Sequence, residues 1–262
     1  MRLNKTKIVA TLGPASSSKT MMSKLISSGI DVFRINFSHA KHDEVERIVA
    51  DIKNLRIKHK KHVSILGDLQ GPKIRIGNVV PNSLLKKGDE IVFSTNKIKD
   101  GTSKKTSINY SRFAKDVKKG ESILVDDGKI ILQVQKTDKV SEVTLDVVQG
   151  GPLSSNKGVN LPNTKISMPA LTAKDIKDAR LAAKLDFDWI ALSFVRSKKD
   201  VLELKTLLDK NSKLSIPIIS KIEKPQAIKK MDQILKVSDG LMVARGAVSY
   251  THLRAHETRG NL

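Results

Sequence analysis

The chain has 262 residues, 39% of them hydrophobic, with no cysteine and a formal charge of +21, enough apolar material for a sizeable core in one large domain or two smaller ones. Its apolar runs fall far short of the ~20 residues that span a bilayer, Met1 to Lys5 leads into a strand-like run rather than a signal peptide, and the lack of cysteine excludes a disulfide framework or thiolate metal site and fits the cytoplasm. The basic charge calls for an anion, but with 3% aromatic residues and no helix-turn-helix, zinc-finger or RNA-recognition signature, nucleic acid is a poor reading, and a Lys-rich solvated surface or a phosphate-rich metabolite is the better one.

In chain order the first third alternates strand and helix. Lys7 to Gly13 is a short apolar run closed by Gly13-Pro14. Met21, Met22, Leu25 and Ile26 follow at helical spacing, and Gly29 is a helix stop. Val32 to Ser38 is the second strand, Val45, Ile48, Val49, Ile52 and Leu55 form one helical stripe, and Val63 to Leu66 begins the third strand. From about Ile74 to Pro169 the segments become short and β-like: Glu90 to Phe93, Ser122 to Val125, Ile130 to Val134 and Val143 to Val148. Lys87-Gly88-Asp89, Asp127-Gly128 and Gly150-Gly151-Pro152 punctuate them as turns. The alternation then resumes. Thr172 to Asp175 and Ser197 to Asp200 match a helix-start signature. Trp189 to Val195, Ile216 to Ile222 and Gly240 to Ala244 are strands, and Ala227, Ile228, Met231, Ile234 and Leu235 form a helical stripe.

The pattern predicts an α/β protein: three β/α modules over 1–72, a small β domain inserted over 73–169, and modules four to six over 170–246. Such alternation means a parallel sheet with crossover helices. It fits an incomplete TIM-type β/α barrel, whose closed form has eight modules, and it also fits a doubly wound open sheet. No sequence repeat shows beyond the alternation itself.

In a barrel the chemistry sits at the carboxyl ends of the strands. On the second strand Arg34, Asn36 and Ser38 share a face by the two-residue period. A buried Arg requires an anion or an acid, and its planar fork suits phosphate; a structural Arg–carboxylate pair is the plain alternative. The third strand runs into Gly67-Asp68-Leu69-Gln70-Gly71-Pro72-Lys73-Ile74-Arg75, which by itself could be a charged loop. The fifth strand ends Ser220-Lys221-Ile222-Glu223, with Lys221 and Glu223 two residues apart and on one side. A carboxylate there can hold Mg²⁺, and the neighbouring ammonium can stabilise charge on a transferring phosphoryl group; a Lys–Glu pair without function is the alternative. The sixth strand ends Ala244-Arg245-Gly246, where a glycine lets backbone N–H approach a ligand closely.

Six segments together resemble the pyruvate kinase family, in the family's order and around a β insertion: Thr6 to Ser16, Arg34 to His39, Asp68 to Arg75, Lys157 to Pro162, Ser220 to Glu223 and Met242 to Gly246. The resemblance implies phosphoryl transfer from phosphoenolpyruvate to ADP, with Mg²⁺ or Mn²⁺ as cofactor, in a cytoplasmic enzyme whose intact form is a homotetramer. It implies that Arg34 contacts the substrate phosphate and that Lys221 stabilises charge at the transferring group and the enolate oxygen. Glu223 becomes one of two carboxylate ligands of the divalent ion, and Gly246 offers its N–H to the substrate carboxylate. Arg34, His39, Arg75 and Lys157 line the nucleotide side, Ser193 and Phe194 form pocket wall, and the β domain is a lid. The positions of Asn36, Ser38, Asp68 and Leu69 are the family's K⁺ site. The pairing of Leu69 with Lys73 resembles the potassium-independent branch, in which an ammonium brings the charge that K⁺ would bring. A Mg²⁺-dependent aldolase or lyase barrel shares the strand-end acid but lacks the insertion and Asn36-Phe37-Ser38-His39.

The resemblance stops after Gly246. Val248 to Thr258 is similar to one reading frame of a transposon-end sequencing adapter, so 247–262 reads as a non-native tail, and His252 and His256 as an accidental i, i+4 pair rather than a metal site. Ala247 then stands where the second carboxylate ligand should be. With two modules, a proton-donor Thr and the regulatory domain also lacking, the expectation is an inactive, unstable chain with open sheet edges.

Overall fold

Six short strands carry the apolar runs in the computed structural model, which describes residues 6–211 and 215–243. They are β1 (Val9–Thr11), β2 (Val32–Asn36), β3 (Ser64–Asp68), β4 (Trp189–Leu192), β5 (Ile218–Ile222) and β6 (Gly240–Val243). Each pairs in parallel with its neighbour in chain order, so the sheet runs β1-β2-β3-β4-β5-β6 without a reversal. A doubly wound sheet reverses at a switch point. The unbroken order is that of a β/α barrel, and it decides between the two folds that the strand–helix pattern allowed.

Parallel strands need crossovers. These are α1 (Lys19–Ser27), α2 (His42–His59), α3 (Ala173–Lys184) and α4 (Lys198–Asp209). The two helix-start signatures both form complete capping boxes, at Thr172–Asp175 and Ser197–Asp200, each cap being worth about 1 kcal/mol. Helix α2 buries Val45, Ile48, Val49, Ile52 and Leu55 as one stripe. The stripe read over Ala227 to Leu235 is not one helix but two, Pro225–Ile228 and Met231–Leu235. The Lys230 N–H bonds the Ala227 carbonyl, three residues back, which tightens and ends the first piece. Ile228 and Leu235 are accordingly left about half exposed.

The amino ends of the strands repeat one device. Asp31, Asp188 and Asp239 each stand one residue before an even-numbered strand, and each is bonded twice to one residue at the amino end of the strand before it, Ile8 lying just ahead of β1 and Ile65 and Ile218 within β3 and β5. Their backbone N–H groups donate to the carbonyls of Ile8, Ile65 and Ile218. Their carboxylates accept the N–H of the same three residues at 2.9, 2.7 and 2.8 Å. Among the described residues, β1 and β6 are the edge strands of this sheet, with Val9 and Val243 exposed. No helix among the described residues is long and apolar enough to cross a membrane.

By their contacts these elements form a first unit, up to Pro72 and over Ala170–Ile222 and Gln226–Val243. The second unit takes in Lys73–Pro169 and, by contact, Glu223–Pro225. Its main sheet runs in the order Val159–Asn160, Ser122–Val125, Ile130–Thr137, Glu142–Gln149, Glu90–Ser94, Lys105–Ser107. All of its pairings are antiparallel except the last. It has its own core, in which Phe93, Phe113, Leu132 and Leu145 are fully buried. Short strands joined by tight turns, with no long helix, are what the turn residues of this segment favour.

Candidate active site at the carboxyl ends of the strands

Successive strand residues alternate faces, and residues in register on parallel neighbours share a face. Thr11 is in register with Arg34, Asn36 with Asp68, Asp68 with Ala191, and Ala191 with Ile219. Two residues further on, Ser193 continues the face of Ala191 and Lys221 that of Ile219. Thr11, Arg34, Asn36, Asp68, Ser193 and Lys221 therefore lie on one face at the carboxyl ends of β1 to β5. Phe33 and Ile35, on the opposite face of β2, are buried in the hydrophobic core.

Asp68 is the centre of this group. It is 2% exposed and is the last residue of β3 rather than part of a charged loop. Burial of a lone carboxylate is prohibitive, and two cations answer it. Arg34 donates to Asp68 Oδ2 from Nε at 2.8 Å and from Nη2 at 2.5 Å, and its Nη1 donates to Thr11 Oγ1 at 2.8 Å. Lys221 Nζ donates to Asp68 Oδ1 at 3.1 Å and to Ser193 Oγ at 2.9 Å. The Ser193 hydroxyl in turn donates to the Leu69 carbonyl at 2.6 Å. Within this bonded cluster two fixed positive charges stand against one negative. Three of the five guanidinium N–H groups of Arg34 are bonded within the protein. The other two have no partner among the described residues and can take an oxyanion.

Close packing holds the arrangement. A Cβ on Gly67 would lie 2.9 Å from the Phe37 ring and 3.0 Å from Ile190 Cδ1, so only glycine fits beside Asp68. Gly71 adopts φ +69°, and a Cβ there would meet the Phe194 ring at 2.8 Å. Its N–H is held by Asp175 Oδ1 at 3.0 Å, while Asp175 Oδ2 closes the α3 capping box with Thr172. Phe194 itself has φ +56°, a left-handed conformation costing a bulky residue about 1–3 kcal/mol. Strand β4 thus ends at Leu192, and the run read as reaching Val195 turns sharply instead.

Of the residues singled out in the sequence, the structure brings Arg34, Asp68, Leu69, Ser193 and Lys221 into one bonded cluster. Asn36 and Ser38 lie beside it, with Asn36 Oδ1 accepting the Ser38 N–H at 3.1 Å. His39 is exposed, its N–H on the Asn36 carbonyl. Arg75 and Lys157 meet in the second unit. Arg75 bridges Gly158 and donates from Nη1 to the Asn156 carbonyl, and the Lys157 carbonyl accepts the Ile76 N–H. Lys157 Nζ lies 3.0 Å from Asp126, and hydrogen bonds from Lys129 and Lys157 hold the Asp126 carboxyl below the usual carboxylate range. Lys73 also belongs to the second unit, where its carbonyl accepts from Asn109. Glu223 directly follows β5 and is half-buried. Gly246 and the tail from Ala247 lie outside the described residues. Thr11 and Asp175 were not singled out: Thr11 looked like one more polar residue in an apolar run, and Asp175 like a helix cap alone.

A divalent ion needs oxygen ligands, and Mg²⁺ characteristically takes one or two carboxylates and fills its shell with water and substrate oxygens. Among the described residues no group of three or more His, Asp or Glu side chains is placed to hold a metal by itself. Both oxygens of Asp68 are engaged by cations, and Glu223, which directly follows β5, is the candidate carboxylate by position. One strand-end carboxylate is a donor set that fits Mg²⁺ or Mn²⁺ in this manner.

The profile of the family described as "Pyruvate kinase, barrel domain" matches residues 3–251. Proteins named pyruvate kinase from Staphylococcus aureus strains MRSA252 and USA300 are each 44% identical to the chain over 246 residues. The matched stretch covers 93% of this chain and 42% of each relative, so the chain spans about two-fifths of the length of these relatives.

Proposed function

We propose, from the premise that this chain belongs to the pyruvate kinase family, that its protein transfers the phosphoryl group of phosphoenolpyruvate to ADP, giving pyruvate and ATP. The observation that carries the proposal is the pair of cations, Arg34 and Lys221, fixed on one buried carboxylate at the carboxyl rim of the sheet. Phosphoryl transfer asks a protein chiefly for positioning and for charge stabilisation, and this cluster supplies both.

The two remaining N–H groups of Arg34 bind the phosphate of phosphoenolpyruvate. A terminal phosphate oxygen of ADP forms the new bond to phosphorus while the bond from phosphorus to the enol oxygen breaks, its electron pair staying on that oxygen. Lys221 stabilises the charge that gathers there, and the enolate then takes up a proton to become pyruvate. Mg²⁺ or Mn²⁺, when bound with Glu223 among its ligands, supplies Lewis-acid charge to the phosphoryl oxygens. Arg75 and Lys157, adjacent in the second unit, are cations suited to nucleotide phosphates. Gly246, assigned to the substrate carboxylate, lies outside the described residues.

The test is pyruvate formation by the full-length protein, followed through lactate dehydrogenase. The expected result is turnover that needs both phosphoenolpyruvate and ADP and that falls about 10²–10³-fold in Lys221→Met, as when one preorganised charge is removed from a transition state. Pyruvate release without ADP, or with no ATP formed, would overturn the assignment.

A further inference from the structure

We propose, resting on the phosphoryl-transfer reading above, that Ser193 is a positioning residue that fixes the ammonium of Lys221 and does not itself touch substrate. Ser193 is 3% exposed. A hydroxyl has one proton and two lone pairs. The proton goes to the Leu69 carbonyl at 2.6 Å, a far better acceptor distance than Asp68 Oδ1 at 3.5 Å. That donation sets the rotation of the hydroxyl and turns its lone pairs toward Lys221 Nζ, 2.9 Å away. With its proton committed and its acceptor side facing Lys221, the hydroxyl is satisfied within the protein.

A Lys side chain is a point charge on a flexible four-carbon stem. The carboxylate of Asp68 is shared with Arg34, so the Ser193 hydroxyl gives the ammonium a contact that no other cation among the described residues competes for. The second contact from Ser193 fixes two of the three N–H directions of the ammonium, and tetrahedral geometry then sets the third. The surrounding backbone is built to present this hydroxyl. Phe194, the next residue, is held at φ +56°, and Gly71 has no room for a Cβ, which would fall 2.9 Å from Ser193 Cβ. Such strain persists only where neighbours over-determine it, and here they do so next to the hydroxyl that meets Lys221.

Ser193→Ala in the full-length protein separates this role from its alternatives. The expected result is a loss of kcat of about 10²-fold, the cost of a 1 Å misplacement, with KM for phosphoenolpyruvate and ADP within about twofold and the melting temperature within about 3 °C. An unchanged kcat, a loss carried mainly by KM for phosphoenolpyruvate, or a loss matched by a collapse in melting temperature overturns the proposal. Should the unsubstituted protein show no turnover, the kinase reading fails, and the crystal structure of Ser193→Ala still decides the positioning role. Lys221 Nζ shifted from Asp68 or split between two positions supports it, and an unmoved ammonium overturns it.

Discussion

Arg34 on β2 and Lys221 on β5 are joined through a single carboxylate, with Asp68 Oδ2 taking the guanidinium at 2.5 Å and Oδ1 the ammonium at 3.1 Å. Removing that carboxylate leaves two partly buried cations facing each other. Asp68→Ala is expected to destabilise the protein by about 3 kcal/mol, the low end for a broken buried pair because the Arg34 side chain is 24% exposed and reached by water. Asp68→Asn keeps an acceptor and is expected to cost less. Urea unfolding at unchanged slope measures both. If both variants lose less than about 1 kcal/mol, the cluster contributes no more than surface ion pairs do.

The same cluster bears on monovalent cations. At three of the four positions assigned to K⁺, the Asp68 oxygens are bonded to Arg34 and Lys221, the Asn36 side-chain oxygen to the Ser38 N–H, and the Leu69 carbonyl to the Ser193 hydroxyl. A cation entering there would compete with bonds already made and would meet the charges of Arg34 and Lys221. Full-length protein is therefore expected to turn over equally in potassium chloride and in tetramethylammonium chloride of the same ionic strength. Activation by K⁺ of more than about tenfold, or 1.4 kcal/mol of differential stabilisation, would show that the cation has a place after all.

The apolar runs and caps of the first unit were legible because they are local. Period-two and period-3.6 patterns, Thr172 with Asp175 and Ser197 with Asp200 need no knowledge of distant residues. The closing order of the strands was not legible, since β3 and β4 are separated by the whole second unit and nothing in either says that they pair. For Arg34 the need for an anion could be read from its apolar strand, but the identity of the partner could not. Asp68 lies 34 positions on, in a segment whose Gly, Pro and Lys look like a loop. It is drawn into the strand end by the two charges it must balance. The break between the last two helices was not legible for the opposite reason, because the stripe across them is regular and the interruption is a backbone bond, from the Lys230 N–H to the Ala227 carbonyl.

Carboxylates at the two ends of the sheet should answer to different assays. Conservation of fold is the business of the amino rim of a barrel, and chemistry that of the carboxyl rim. Asp188 accepts the Ile65 N–H and pairs with Arg56 at 2.5 Å, so Asp188→Ala is expected to cost about 1–3 kcal/mol, the penalty for leaving such groups unpaired. Among the described residues Asp31 pairs only with the exposed Lys7, at 3.4 Å, and should cost less. Its hydrogen bond from the Ile8 N–H, aided by Lys7, holds its carboxyl below the usual range. The stability it adds is thus complete above about pH 4 and is lost as pH falls through its lowered value. Neither variant is expected to change the turnover of the molecules that remain folded. Unfolding midpoints together with kcat per folded molecule measure this, and a variant with unaltered stability and impaired kcat would reverse the assignment of the two rims.

The second unit carries its own pH window. Tyr110 is 1% exposed; burial first, and then its hydrogen bond to Asp116, push its phenol above the ordinary value. Burial would raise Asp116 as well, but hydrogen bonds from Ser167 and Tyr110 outweigh it and hold the carboxyl low. The signs follow directly. A raised acid is most stabilising in its neutral form, so the contribution of Tyr110 is complete below its unfolded value of about 10 and disappears as pH rises through the higher folded value. A lowered carboxyl behaves in reverse, so that of Asp116 is complete above about pH 4 and fades below it. Tyr110→Phe is expected to lose about 1 kcal/mol at neutral pH, from the hydrogen bonds to Asp116 and from Ser167, and to abolish the alkaline limb while keeping the acid one. Circular-dichroism melts from about pH 3 to about pH 11 follow both limbs. An alkaline limb that survives in Tyr110→Phe would mean that lysine deprotonation, not this buried phenol, sets the upper edge.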